Sequence, residues 1–98
     1  MEKSKPHWPL PFVKTLIDAG KVRSTLSALS GAAAMGFEFE DMLDIIKALT
    51  LKDFYESMTT QADHRIWQDV YRPSTPSGKV YLKLTFIDDV LIVTFKEL

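Results

Sequence analysis

The sequence predicts an α+β domain, on three observations. Its hydrophobic period changes from helical to alternating at about residue 50. No Gly/Ser linker, low-complexity tract or repeat separates the two halves. And 98 residues suffice for one core but not for two, so residues 1–98 are expected to share a single domain.

The helical half begins after Pro9 and Pro11, where Phe12, Val13, Leu16 and Ile17 recur at helical spacing and Gly20 supplies a left-handed stop. A second, alanine-rich helix through Leu29 and Ala34 would be capped by Ser27 or Ser24 and ended by Gly36. A third places Phe39, Met42, Leu43, Ile46 and Leu49 on one stripe. Glu38, Glu40 and Asp41 occupy its first turn, where the helix dipole favours anions. Thr50 with Asp53 reads as a capping pair for one further turn.

From Ser57 onward the alternating segments Ile66–Arg72, Lys79–Ile87 and Val90–Lys96 predict an antiparallel meander. A two-residue turn at Asp88-Asp89 would set Leu82 opposite Phe95, Leu84 opposite Val93 and Phe86 opposite Leu91 on an apolar face. Tyr81 then meets Lys96, Lys83 meets Thr94 and Thr85 meets Ile92 on the other. The connection Pro73–Gly78 leaves the previous register open. An odd sum of paired residue numbers puts Gln68 on the Tyr81 face and Asp69 toward the core; an even sum does the reverse.

Composition is that of a folded soluble protein, 46% hydrophobic, 11% aromatic and 26% charged. The absence of cysteine excludes disulfides, thiolate metal sites and cysteine nucleophiles, and points to the cytoplasm. No stretch has the length of a membrane span or of a signal sequence's apolar region. Twelve Lys and Arg against thirteen Asp and Glu give a net charge of −1, so any nucleic-acid site must be a local patch. No helix presents a basic face to a major groove, so direct DNA binding is not expected.

Asp53-Phe54-Tyr55-Glu56-Ser57-Met58-Thr59-Thr60, Asp63-His64 and Ile66-Trp67-Gln68-Asp69-Val70-Tyr71-Arg72-Pro73 are very similar to the MqsR toxin family. So are Val80-Tyr81-Leu82-Lys83, Asp89-Val90-Leu91-Ile92-Val93 and Phe95-Lys96-Glu97 near the end, and Met1-Glu2-Lys3, Pro6-His7, Ala19-Gly20 and Val22-Arg23 near the start. The resemblance implies a RelE-like toxin fold, a twisted antiparallel sheet with helices packed on one face. It implies metal-independent, ribosome-independent cleavage of single-stranded mRNA at GCU-type sites, with no cofactor. The implied partner is an antitoxin like MqsA, with a zinc-binding N-terminal domain and a helix-turn-helix C-terminal domain. The family's proposed catalytic positions fall on Gln68, Tyr81 and Lys96, which favours the odd register. A fourth, lysine in a family member, is Glu56 here and receives no catalytic role, because a carboxylate repels a phosphate. Arg72, Lys79 and Lys83 are the cations expected to bind RNA in its place.

From spacing alone, Tyr81 and Lys96 read as an ordinary exposed cross-strand pair; the resemblance is what makes them a site. RNA cleavage through the 2′-hydroxyl needs an aligned phosphodiester, two proton movements and stabilised phosphoryl charge. Lys96 suits the charge, Tyr81 a proton or a stacked base, and Gln68 hydrogen bonds that orient the substrate. Tyrosine and lysine ionise near pH ~10, which favours positioning and electrostatics over strong base catalysis. His64 beside Asp63 reads as a turn contact rather than a metal site, and His7 is given no role in a flexible tail. Trp67, Tyr71 and Tyr55 read as core aromatics.

Overall fold

The computed structural model describes residues 2–98; Met1 lies outside the described residues. Helix α1, Leu10–Asp18, starts where Pro9 and Pro11 suit a first turn that has no use for their missing N–H, buries Leu10, Val13 and Ile17, and ends at Gly20 with φ +76°. Helix α2, Leu26–Ala34, is capped by neither expected serine. The cap is Thr25, whose Oγ1 accepts from the Ala28 N–H at 3.0 Å. Ser24, Thr25 and Ser27 are all competent caps by type, and what selects Thr25 is its tether to the sheet, described below. Helix α3, Phe39–Lys47, buries Met42, Leu43 and Ile46, and the Glu38 N–H donates to Asp41 at 2.8 Å in its first turn. A 3-10 turn at Leu51–Asp53 follows, its start closed by the Thr50 N–H on Asp53 at 2.9 Å, the expected capping pair.

The strands are β1 (Glu2–Lys3), β2 (Val22–Ser24), β3 (Phe54–Thr59), β4 (Trp67–Tyr71), β5 (Ser74–Thr75), β6 (Gly78–Ile87) and β7 (Asp89–Glu97). They run in the order β1-β3-β4-β6-β7-β2, with the short β5 paired on β6. The C-terminal half is the expected antiparallel meander, while β2 joins the far edge parallel to β7, making the whole sheet mixed. The result is an α+β fold consistent with that of RelE-like toxins. Among the described residues no helix is long and apolar enough to cross a membrane.

The β6–β7 hairpin turns on Asp88 alone, in the left-handed region at φ 67°, one residue tighter than expected. Next to the turn, Phe86 therefore meets Val90, Thr85 meets Leu91 and Leu84 meets Ile92, correcting all three expected pairs there. Beyond Val93 the expected register is recovered, with Lys83 opposite Thr94, Leu82 opposite Phe95 and Tyr81 opposite Lys96. The apolar face carries Val80, Leu82, Leu84, Val90, Ile92 and Phe95, all buried against Met42, Ile46 and Leu49 of the α3 region, Val13 and Ile17 of α1, and Ala28 and Ala32 of α2.

Tyr71 is buried in that core, edge-on to Phe54 at 5.5 Å, yet its hydroxyl finds no hydrogen-bond partner among the described residues. Burial, with Asp69 nearby, raises its pKa above the ordinary 10.0. The unfolded chain then releases this proton first, so stability falls as pH climbs above the unfolded value and on toward the folded one. Tyr71→Phe is expected to add about 1 kcal/mol at neutral pH and to remove this alkaline loss. Urea midpoints at neutral pH and above pH ~10 read both effects, and a lower midpoint at neutral pH would sink the idea.

Candidate active site

Strand β4 pairs with β6 as Asp69 with Leu84, Val70 with Lys83 and Tyr71 with Leu82, the odd register. Alternation then places Gln68 and Val70 of β4, with Arg72 just after it, Lys79, Tyr81 and Lys83 of β6, and Thr94 and Lys96 of β7 on the face away from the helices. All six expected site residues share that open face. Asp69 turns inward and is 2% exposed. Its two oxygens accept from the backbone N–H groups of His7 at 3.0 Å and Trp8 at 3.1 Å. A carboxylate on the core face, which alternation alone could not justify, is thus satisfied by donors some sixty positions upstream. His7 is accordingly not a loose tail residue: its ring stacks on Trp67 at 5.0 Å, with 10° between planes.

Two ammonium groups lie near the Tyr81 ring. Lys96 Nζ stands 5.4 Å from the ring centroid and Lys83 Nζ 5.9 Å, and Lys96 is exposed to solvent while Tyr81 is half-buried. Both are within cation–π range, which pre-orders two long, flexible side chains around one aromatic. Arg72 follows the Tyr71–Leu82 pair by one residue and so lies beside Tyr81 on the same face. Its guanidinium covers the Tyr55 ring at 3.5 Å and its backbone N–H donates to Asp53 at 2.7 Å. Tyr55 is 49% exposed and is not a core aromatic. The register of β3 against β4 shifts between Phe54 and Glu56, so Tyr55 escapes the alternation that would have buried it.

The structure does not bring every expected residue together. Gln68 lies opposite Met58, four positions before Arg72 in the chain, about 13 Å at the usual strand rise of ~3.3 Å per residue. Lys79 is exposed and pairs with Ser74 near the start of β6. Glu56 occupies the row between, opposite Val70, which is itself opposite Lys83. Val70 is fully buried although it is on the open face, flanked by the long stems of Glu56 and Lys83, which are suited to cover it. The cluster is therefore Tyr81, Lys83 and Lys96, with Arg72 at its side. It is a cationic patch on a chain of net charge −1.

Other groups lie apart from this patch. Asp63 accepts from Arg65 at 3.0 and 3.1 Å through the guanidinium and at 2.9 Å through the backbone N–H, which holds its carboxyl below the usual range. His64 Nδ1 is 3.5 Å from Thr59 Oγ1, a contact between the β3–β4 connection and the last residue of β3. Among the described residues no group of three or more His, Cys, Asp or Glu could hold a metal ion. A cavity of about 290 Å³ between α3 and β5 is lined by Asp44, Ile45, Asp53 and Pro73, and none of the Tyr81 cluster reaches it.

The family model described as the motility quorum-sensing regulator, toxin of MqsA, matches residues 5–97. The chain belongs to this family. Its MqsR relative from Escherichia coli (strain K12), named mRNA interferase toxin MqsR, is 57% identical over 97 residues, covering 99% of each chain. Arg72 stacked on Tyr55 is the part of this MqsR-family face that residue patterns missed, because a strand irregularity leaves only a faint mark in the sequence. The one available signal was that Tyr55 breaks the polar and apolar order between Phe54 and Met58.

Proposed function

We propose that the chain is an endoribonuclease toxin of a type II toxin–antitoxin pair, cleaving single-stranded mRNA at GCU-type sites without metal or ribosome. The observation that carries this is the Tyr81 ring flanked by Lys96 at 5.4 Å and Lys83 at 5.9 Å, in a chain 57% identical to an mRNA interferase toxin. The scissile phosphate would lie over this pair. The substrate's 2′-oxygen attacks phosphorus, its proton leaves, and the 5′-oxygen departs with a proton, giving a 2′,3′-cyclic phosphate and a 5′-hydroxyl. The two ammonium groups offset the charge gathering on the phosphoryl oxygens. Tyr81 stacks on a base or passes a proton through its hydroxyl. Gln68, at the other end of the face, orients a neighbouring nucleotide, and Arg72 and Lys79 hold flanking phosphates.

An MqsA-like antitoxin, with a zinc-binding N-terminal domain and a DNA-binding helix-turn-helix, is the proposed neutralising partner in the cytoplasm. A second reading is favoured by Glu56, whose carboxylate shares the open face with the patch: a toxin-like domain that binds its antitoxin but cuts poorly. One experiment separates them. The purified chain is incubated in EDTA, without ribosomes, with a single-stranded RNA containing one GCU, beside Lys96→Ala and Tyr81→Ala. Cleavage at that site, reduced at least about 100-fold in both variants, is expected. Intact RNA with correctly folded protein would favour the binding module.

A further inference from the structure

Strand β7 changes sides partway along its length. Leu84 pairs with Ile92 and Lys83 with Thr94, so Val93 is an extra residue, a β-bulge. Had the register nearest the turn continued, Lys96 would lie opposite Val80 on the helix-covered face, and Phe95 would lie opposite Tyr81 in solvent. The bulge is therefore what brings the Lys96 ammonium and the Tyr81 ring to the same face.

Helix α2 grips this point in three ways. The Thr25 N–H donates to the Ile92 carbonyl at 3.1 Å, and the Thr25 hydroxyl donates to the carbonyl of Val93 itself at 2.8 Å. Two turns on, Gly31 lies against the Phe95 carbonyl so closely that a Cβ there would overlap it. Glycine is a poor helix former, and Gly31 has no positive φ to require it. Close approach to the strand is the reason for its presence.

We propose that Thr25 and Gly31 are positioning residues for Lys96, with α2 clamping the Val93 bulge and so setting the register that seats Lys96 beside Tyr81. The proposal rests on the reading of Lys96 as a catalytic residue. Thr25 has two duties that chemistry can separate. Its oxygen accepts from the Ala28 N–H as a helix cap, and its proton goes to Val93. Serine can do both, aspartate can cap but cannot donate, and valine can do neither.

The test measures kcat and KM on a single-site RNA, together with cross-strand nuclear Overhauser contacts between Tyr81 and Lys96, which read register without reference to activity. Thr25→Asp and Thr25→Val are expected to lower kcat at least about tenfold with little change in KM, and to weaken the Tyr81–Lys96 contacts. Gly31→Ala should act in the same direction, and Thr25→Ser should restore most of the loss. Deleting Val93 gives a regular ladder with the same Tyr81–Lys96 pair, so in that background Thr25→Asp should cost nothing further. Unchanged contacts and kcat in Thr25→Asp and Thr25→Val, or an equal loss with Val93 deleted, would overturn the proposal. If the contacts change as expected but Lys96→Ala cuts RNA as well as the parent, the catalytic reading of Lys96 fails and the register mechanism stands.

Discussion

Asp69→Ala is expected to destabilise the protein by about 3 kcal/mol, a large share of the roughly 5–15 kcal/mol available to a domain. The carboxylate is almost fully buried and accepts from two backbone N–H groups, those of His7 and Trp8. Alanine removes the acceptor that both N–H groups share. It also unfastens the segment that carries the His7–Trp67 stack, so the loss extends beyond two hydrogen bonds. Asp69→Asn keeps one acceptor oxygen and should cost about half as much. Urea unfolding followed by tryptophan fluorescence reads both, since Trp8 and Trp67 each neighbour the His7 ring. An unchanged midpoint in Asp69→Ala would show that this buried carboxylate does not hold the segment in place.

Lys83→Glu should have the larger effect on activity, lowering kcat/KM on a single-site RNA by about 100-fold or more. Lys83 stands on one side of the Tyr81 ring and in the same cross-strand row as Glu56, with Val70 between. Reversing its charge removes one of two cations near the phosphate and leaves two carboxylates in one row. At an effective dielectric constant of about 20, a unit charge some 5–6 Å from a phosphate contributes about 3 kcal/mol before screening, so a reversal is severe. Glu56→Lys runs the other way, with tighter RNA binding and a salt dependence steeper by about one contact. Equal kcat/KM for Lys83→Glu and the parent, at low salt, would remove Lys83 from the site.

Helices α1 and α3 could be read from the sequence because their stripes, Val13 to Ile17 and Met42 to Ile46, are periodic and their ends carry turn or capping residues. β2 could not, because three residues are too few to alternate and their partner strand begins at Asp89. The Tyr81–Lys96 pair was expected correctly although the turn that leads to it was not. The tighter turn at Asp88 shifts the register by one and the Val93 bulge shifts it back. Together they put Val90 and Ile92 in the core in place of Leu91 and Val93, and because all four are apolar the sequence pattern does not separate the two arrangements. The inward turn of Asp69 was equally hidden, since its donors belong to a segment that no local pattern connects to β4. The roles given to Gln68, Tyr81 and Lys96 came from family resemblance, and the open face shows which of them are neighbours.

The place of β7 between β6 and β2 has a consequence for how the chain is made. A nascent chain extended only to Asp88 lacks the strand that α2 grips and the neighbour of β2, whose first residue waits for one 68 positions later. Such distant pairing belongs to slow-folding topologies. The segment that bears Lys96 is also the one that completes the sheet. Until β7 is made, the chain therefore has neither the bulge that α2 holds nor the cation of the proposed site.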